Sequence, residues 1–266
     1  MSETIALKEA FILHRYVYSE SGLILRVLSP DFPILSIVAK RARQKTKYGS
    51  MAGLYEPFLK LNLTYLGRTE LKKLKDLEIC SDSPKKIYDR VILIALYLNE
   101  LILNLLGPSV CSLSLFKCYE DCLNLLTHTP DLNSVFWMLR RFEKKILEEA
   151  GHGMELFIDQ NDKKIDQNLI YEVRPGGLPL EVSKEFFLED QTYLFSGKTL
   201  IKIRELGYLN RDRNILDSKL DVKKEIKKIF RQWIDFYTFG KLQKTRNLMR
   251  EVYSSPLDNS SEEIIK

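Results

Sequence analysis

The sequence predicts an α+β protein: a five-stranded OB-fold β-barrel at the N-terminus, followed by a mainly helical domain with a small irregular β insert. Two observations carry this. Short alternating apolar segments crowd the first part of the chain, and apolar spacing at threes and fours takes over after Ser83-Pro84. With 266 residues, 45% of them hydrophobic, the chain can bury a sizeable core and divide into two domains.

The strands are expected at Ala6–Val17, Leu23–Leu28, Ile34–Ala39, Phe58–Tyr65 and Leu71–Ile79. Alternation is clearest in Leu59-Lys60-Leu61-Asn62-Leu63-Thr64-Tyr65, where the leucines and tyrosine share one face and polar residues the other. Five short strands without room for long crossovers fit an OB-like barrel, which removes most exposed edges; an SH3-like barrel is the nearest competitor. The first domain is expected over 1–81.

Ile87, Val91, Ile94, Leu98, Leu101 and Leu105 then mark a helix that Gly107-Pro108 ends. Helices follow at Ser112–Leu126 and Asn133–Ala150, the second stopped by Gly151-His152-Gly153. A β-like insert around 155–195 contains the turn Pro175-Gly176-Gly177. A short helix at Gly197–Glu205 and a longer one at Leu220–Tyr237 complete a second domain over 82–253, and 254–266 reads as a polar tail.

Charge is unevenly placed. The chain carries a net +5, with +5 in residues 1–80 and +7 in 219–250, around a middle that is weakly acidic. Clustered Lys and Arg attract phosphates and release condensed counterions, so two basic regions raise the expectation of a polyanion partner.

Lys40, Arg41, Arg43, Lys45 and Lys47 put five cations into eight residues, with Tyr48 following, and no Asp or Glu occurs between Asp31 and Glu56. Such a loop can reach successive phosphates while the tyrosine offers a ring for base stacking. Arg26 on the second strand and Arg68 in a turn extend this candidate surface. The second basic region supplies Lys223 and Lys227 on a helix, then Lys241, Lys244 and Arg246. Its helical lysines could equally be the solvated face opposite Ile226, Ile229, Phe230 and Trp233. A third group, Arg140, Arg141 and Lys144 beside Trp137 and Ile146, suits an acidic peptide, although pairing of the arginines with Glu143 is the plainer alternative.

Enzyme signatures are weak. Ser196-Gly197-Lys198-Thr199 ends like a phosphate-binding loop, but Thr192 stands where the loop's first glycine belongs, so helix capping by Ser196 is the better reading. The three histidines are scattered and no nucleophile elbow is present. No catalysis, cofactor or metal is expected. Four cysteines without C-x-x-C spacing read as reduced, buried thiols. The most apolar stretch is broken by Asn99, Glu100 and Asn104, and there is no signal pattern, so a cytoplasmic, nucleoid-associated protein is expected.

Taken in order, Ala10-Phe11-Ile12-Leu13-His14, Tyr18-Ser19-Glu20-Ser21, Val38-Ala39-Lys40-Arg41-Ala42-Arg43, Gly53-Leu54-Tyr55-Glu56-Pro57-Phe58 and Gly67-Arg68-Thr69-Glu70-Leu71 resemble the opening domain of the RecO family. Leu96 to Leu101, Leu139-Arg140-Arg141-Phe142-Glu143 and Gly240 to Arg250 continue the resemblance over nearly the whole chain.

The resemblance implies an OB-fold joined to a helical domain, binding of single- and double-stranded DNA, strand annealing, and loading of RecA together with RecR, with RecF as a possible further link. It also implies docking on the acidic, phenylalanine-ended tail of the single-stranded DNA-binding protein SSB, with Arg140 at the family position linked to that contact. An OB-fold RNA-binding or scaffold protein without an SSB contact is the alternative. Two departures stand out. Leu156 to Gly177 contains no cysteine where some members carry a four-cysteine zinc site, and Arg41 replaces the family's usual glycine after Ala-Lys.

Overall fold

The computed structural model describes residues 4–46, 49–67, 69–88, 90–128, 131–182, 191–207 and 220–253. Contacts divide the chain into two compact units, Met1–Pro130 and Asp131–Lys266. Strands give way to helices near residue 82, as the sequence indicates, but the first two helices belong to the same unit as the strands.

In the first unit, β1 (Thr4–Val17), β2 (Leu23–Leu28), β3 (Leu35–Ala39), β6 (Lys60–Leu66) and β7 (Leu71–Ile79) form a closed barrel in the order β1-β2-β3-β7-β6. Every pairing is antiparallel except β3 with β7, which run parallel from Ser36↔Leu71 to Val38↔Lys73 and close the barrel. This is the strand order of an OB-fold. Alternation fills the interior with Leu7, Ile12, Leu25, Val27, Ile37, Leu61, Leu63 and Tyr65.

Strand β1 is buried on both faces over Ala10-Phe11-Ile12-Leu13, which explains its continuous apolar run. The outer face is covered by α1 (Val91–Leu105) and α2 (Leu113–Leu126). Phe11 lies 5.2 Å from the rings of both Phe116 and Tyr119. Buried Asn99 donates to the Leu13 carbonyl at 2.8 Å and accepts from the Tyr119 hydroxyl at 2.6 Å, so no polar group of this contact is left wanting.

A bulge between Leu7 and Ala10 puts Glu9 at φ 61° and turns its carboxylate toward Lys60. Lys60 is only 3% exposed. Its ammonium meets Glu9 at 2.9 Å, Asp82 at 2.7 Å and Glu120 of α2 at 2.8 Å.

The second unit packs α3 (Leu132–Glu149) and α4 (Gly197–Glu205) on α5 (Leu220–Thr238), followed by α6 (Gln243–Tyr253). Asp131 caps α3 by accepting from Asn133 N and Ser134 N, each at 3.0 Å, and Gly151 at φ 77° ends it as the sequence indicates. The insert is a small sheet ordered β10-β8-β9, made of Leu194–Ser196, Ile170–Glu172 and Leu180–Glu181. Among the described residues no helix is long and apolar enough to cross a membrane.

Ser196 caps α4 through Thr199 N at 3.3 Å, and Glu225 of α5 accepts from the Ser196 and Thr199 hydroxyls at 2.7 and 2.5 Å. The Ser-Gly-Lys-Thr segment is thus a helix start whose hydroxyls are consumed internally. Its glycine is required by space: a Cβ at Gly197 would sit 1.8 Å from the Asp166 carbonyl oxygen. Gly197→Ala is therefore expected to cost about 3 kcal/mol or more, read as a lowered denaturant midpoint of the full chain; a change under about 1 kcal/mol would contradict this packing.

Candidate nucleic-acid interface

The basic run starts where β3 leaves the barrel. Ala42 is 1% exposed and anchors the loop, while its neighbours Lys40, Arg41 and Arg43 are exposed. Arg43 N donates to the Ser21 carbonyl and Gln44 N to the Arg41 carbonyl, both at 3.0 Å. One buried alanine and two backbone bonds thus hold the turn and direct three cations outward. Beyond it, β4 (Lys45–Thr46) and β5 (Gly49–Ser50) form a two-stranded ribbon where the sequence predicts only a loop. The backbone of Lys45 is described but not its side chain; Lys47, Tyr48 and Arg68 lie outside the described residues.

Arg41 adopts φ 58°, the left-handed region. A glycine reaches this conformation freely, whereas a residue with a Cβ pays for it. Arg41 therefore adds a cation to the turn at the cost of local strain.

Arg26 lies on the outer face of β2, partly buried, donating to Ser36 Oγ at 2.9 Å. Its Nε is buried without a hydrogen-bond partner among the described residues.

The second basic region is less open than its sequence suggests. Lys241 is exposed just after Gly240, and the Lys244 side chain is not described. Arg246 does not present its charge outward: both terminal nitrogens bond Asp235, tying α6 to α5, and Arg231 comes within 3.7 Å of the same carboxylate. Lys223 lies partly buried with its ammonium 5.9 Å from the Phe136 ring. Lys227 is partly buried, with an Nζ that has no hydrogen-bond partner among the described residues.

In the third group only Arg141 is exposed. Arg140 is 6% exposed, pairs with Glu143 at 3.0 Å and lies over the rings of Phe136 and Phe230. The i,i+3 pairing weighed from the sequence is therefore present. Lys144 donates to the Arg204 and Leu206 carbonyls at 2.8 and 2.6 Å, closing the end of α4, and burial lowers its pKa. Its ammonium is a structural cap.

Sequence reasoning missed three arrangements. The Lys60 clamp escaped it because alternation marked Lys60 as outward-facing. Helix α6 was missed, although Leu242, Thr245 and Met249 carry its spacing. The role of Glu225 was missed because its partners lie nearly thirty residues away. No disulfide joins the four cysteines; Cys80 and Cys122 are buried as expected, but Cys111 is exposed. Among the described residues no His, Cys, Asp and Glu cluster could hold a metal.

An OB-type barrel whose edge carries exposed cations, joined to a helical unit, defines the class of this α+β protein. The models of the Recombination protein O N-terminal and C-terminal domains match residues 1–82 and 90–246. The chain is 34% identical over 253 residues to the DNA repair protein RecO of Coxiella burnetii, covering 94% of this chain and 100% of that one. It is 28% identical over 243 residues to that of Dechloromonas aromatica, covering 91% and 94%, and 29% over 259 residues to that of Vibrio cholerae, covering 97% and 98%. The chain belongs to the RecO family.

Arg41→Gly is expected to leave the stability of the full chain unchanged or raised by up to about 1 kcal/mol, because release of the left-handed strain offsets glycine's entropy. A loss above about 1 kcal/mol in a denaturant titration would show that the arginine is held by packing instead.

Proposed function

We propose that this member of the RecO family, a protein of DNA repair and recombination, works without catalysis: it binds single- and double-stranded DNA, anneals complementary strands, docks on the SSB tail and helps RecR load RecA. The observation that carries this reading is the Ala42-anchored turn, which directs Lys40, Arg41 and Arg43 outward from a closed barrel. A segment of sequence without acids surrounds it, so nothing adjacent along the chain neutralises the run.

Contacts to phosphate alone are independent of sequence, which suits an annealing protein. Neutralising two backbones together lowers their mutual repulsion and lets the bases search for partners. Lys241 and Lys244 are the remaining candidates for a second contact, since Arg246 and Lys227 are turned inward. Arg140 is assigned to the SSB tail: its guanidinium lies over the rings of Phe136 and Phe230, and the fork geometry suits a carboxylate. An RNA-binding or scaffold protein on the same barrel would share the basic turn but not respond to the tail.

The test has two arms. Changing Lys40, Arg43, Lys45 and Lys47 together to Ala should slow strand annealing and reduce the salt slope of single-strand binding by about 2 to 3, at roughly 0.7 per lost phosphate contact. Unaltered affinity and slope would remove the surface. In the second arm, Arg140→Ala should weaken binding of an SSB tail peptide by about tenfold or more while sparing naked DNA; equal loss of both would merge the two sites.

A further inference from the structure

The contact between α3 and α5 buries more positive charge than it neutralises. Arg140 meets Glu143 through one terminal nitrogen at 3.0 Å, and its Nε is left buried without a hydrogen-bond partner among the described residues. The Lys227 Nζ is in the same condition, as is the Trp137 Nε1 one turn before Arg140 on α3.

The charged groups that act on Lys227 come from three helices. Arg140 and Glu143 stand on α3, Arg231 on α5 itself and Arg250 on α6. Of these only Glu143 is an acid, and Arg231 already has Asp235 within 3.7 Å. Burial first, then the repulsion of Arg140, draws the Lys227 ammonium down to about 7, against the opposing pull of Glu143.

Buried donors without acceptors are a standing cost in the unliganded protein. The ligand that removes the most cost here brings oxygen acceptors and negative charge together, as a carboxylate does. We propose that Lys227 is the second carboxylate-binding group of the Arg140 site, and that it takes up a proton from solvent as the carboxylate of an acidic peptide arrives.

This rests on the reading of Arg140 as a peptide-docking residue, and it moves Lys227 from the DNA surface to the peptide site. It also gives the site a linkage that Arg140 alone could not have, because a guanidinium stays charged at every relevant pH. Below pH 7 Lys227 is already protonated and docking takes up little. Above pH 7 each docking event must first charge the amine, so affinity falls by up to about tenfold per pH unit.

The experiment is calorimetric titration of the full chain with an aspartate-rich peptide ending in phenylalanine, in phosphate and in Tris, from about pH 6 to about pH 8. Comparing the heats in the two buffers counts the protons. The expected result is about one proton taken up at the alkaline end, close to none at the acid end, and about fivefold weaker binding at pH 8 than at pH 7. Lys227→Arg should bind with no pH dependence, and Lys227→Met should bind weakly with none. Binding of the wild-type chain at constant affinity without buffer-dependent heat, or a slope retained in Lys227→Arg, overturns the role of Lys227 and leaves docking at Arg140 standing. Absence of binding at every pH overturns docking, and this proposal with it.

Discussion

The ammonium of Lys60 is the point on which the first unit turns. It lies at the start of β6, 3% exposed, and binds a carboxylate from the β1 bulge, one from the segment after β7 and one from α2. Burial alone would lower its pKa. The hydrogen bonds to Asp82, Glu120 and Glu9 outweigh that burial and raise its pKa, while Asp82 is lowered in return by the same bond. The backbone repeats the junction: Lys60 N donates to Ser83 Oγ and Cys80 N to the Lys60 carbonyl, both at 2.9 Å. A buried ion held by several partners contributes little compared with a well-packed apolar substitute, but losing one partner leaves charge stranded. The clamp therefore specifies how α2 sits on the barrel more than it adds stability.

That fixed seat makes the rest possible. With α1 and α2 covering its outer face, β1 becomes an internal strand buried on both sides, and Asn99 and Tyr119 satisfy the polar groups of the contact. A barrel closed by the parallel β3–β7 pair then ends β3 at a rigid rim. The turn that begins there tolerates Arg41 in a left-handed conformation because Ala42 and two backbone bonds hold it. Strain of this kind survives where the surroundings over-determine the backbone. Cations thus fall into two kinds here. Lys60, Lys144 and Arg246 are spent on internal joints, whereas Lys40, Arg41, Arg43 and Lys241 are exposed.

Period was legible in the sequence, and covering was not. The alternation of Leu59 to Tyr65 located β6 within two residues, and the stops at Gly107 and Gly151 bounded the helices. The same alternation marked Lys60 as facing solvent, because a pattern of two faces does not say whether a helix lies over the second one. Charge counting located both basic regions but could not see that Asp235 answers Arg246, since that acid is eleven residues earlier on another helix. The pairing of Arg140 with Glu143 was legible because it is local to one helix. What packs against it from α5 was not.

Lys60 couples the barrel to α2, and a double-mutant cycle tests this coupling. Stability would be measured by denaturant titration for the wild type, Lys60→Met, Glu120→Gln and the double variant. If the clamp joins the two elements, the single effects should fail to add by about 2 kcal/mol, because either substitution already removes the contact that the other would remove. Effects that add to within about 0.5 kcal/mol would mean that the two groups are neighbours without coupling, and that the barrel is seated on its helices by apolar packing alone.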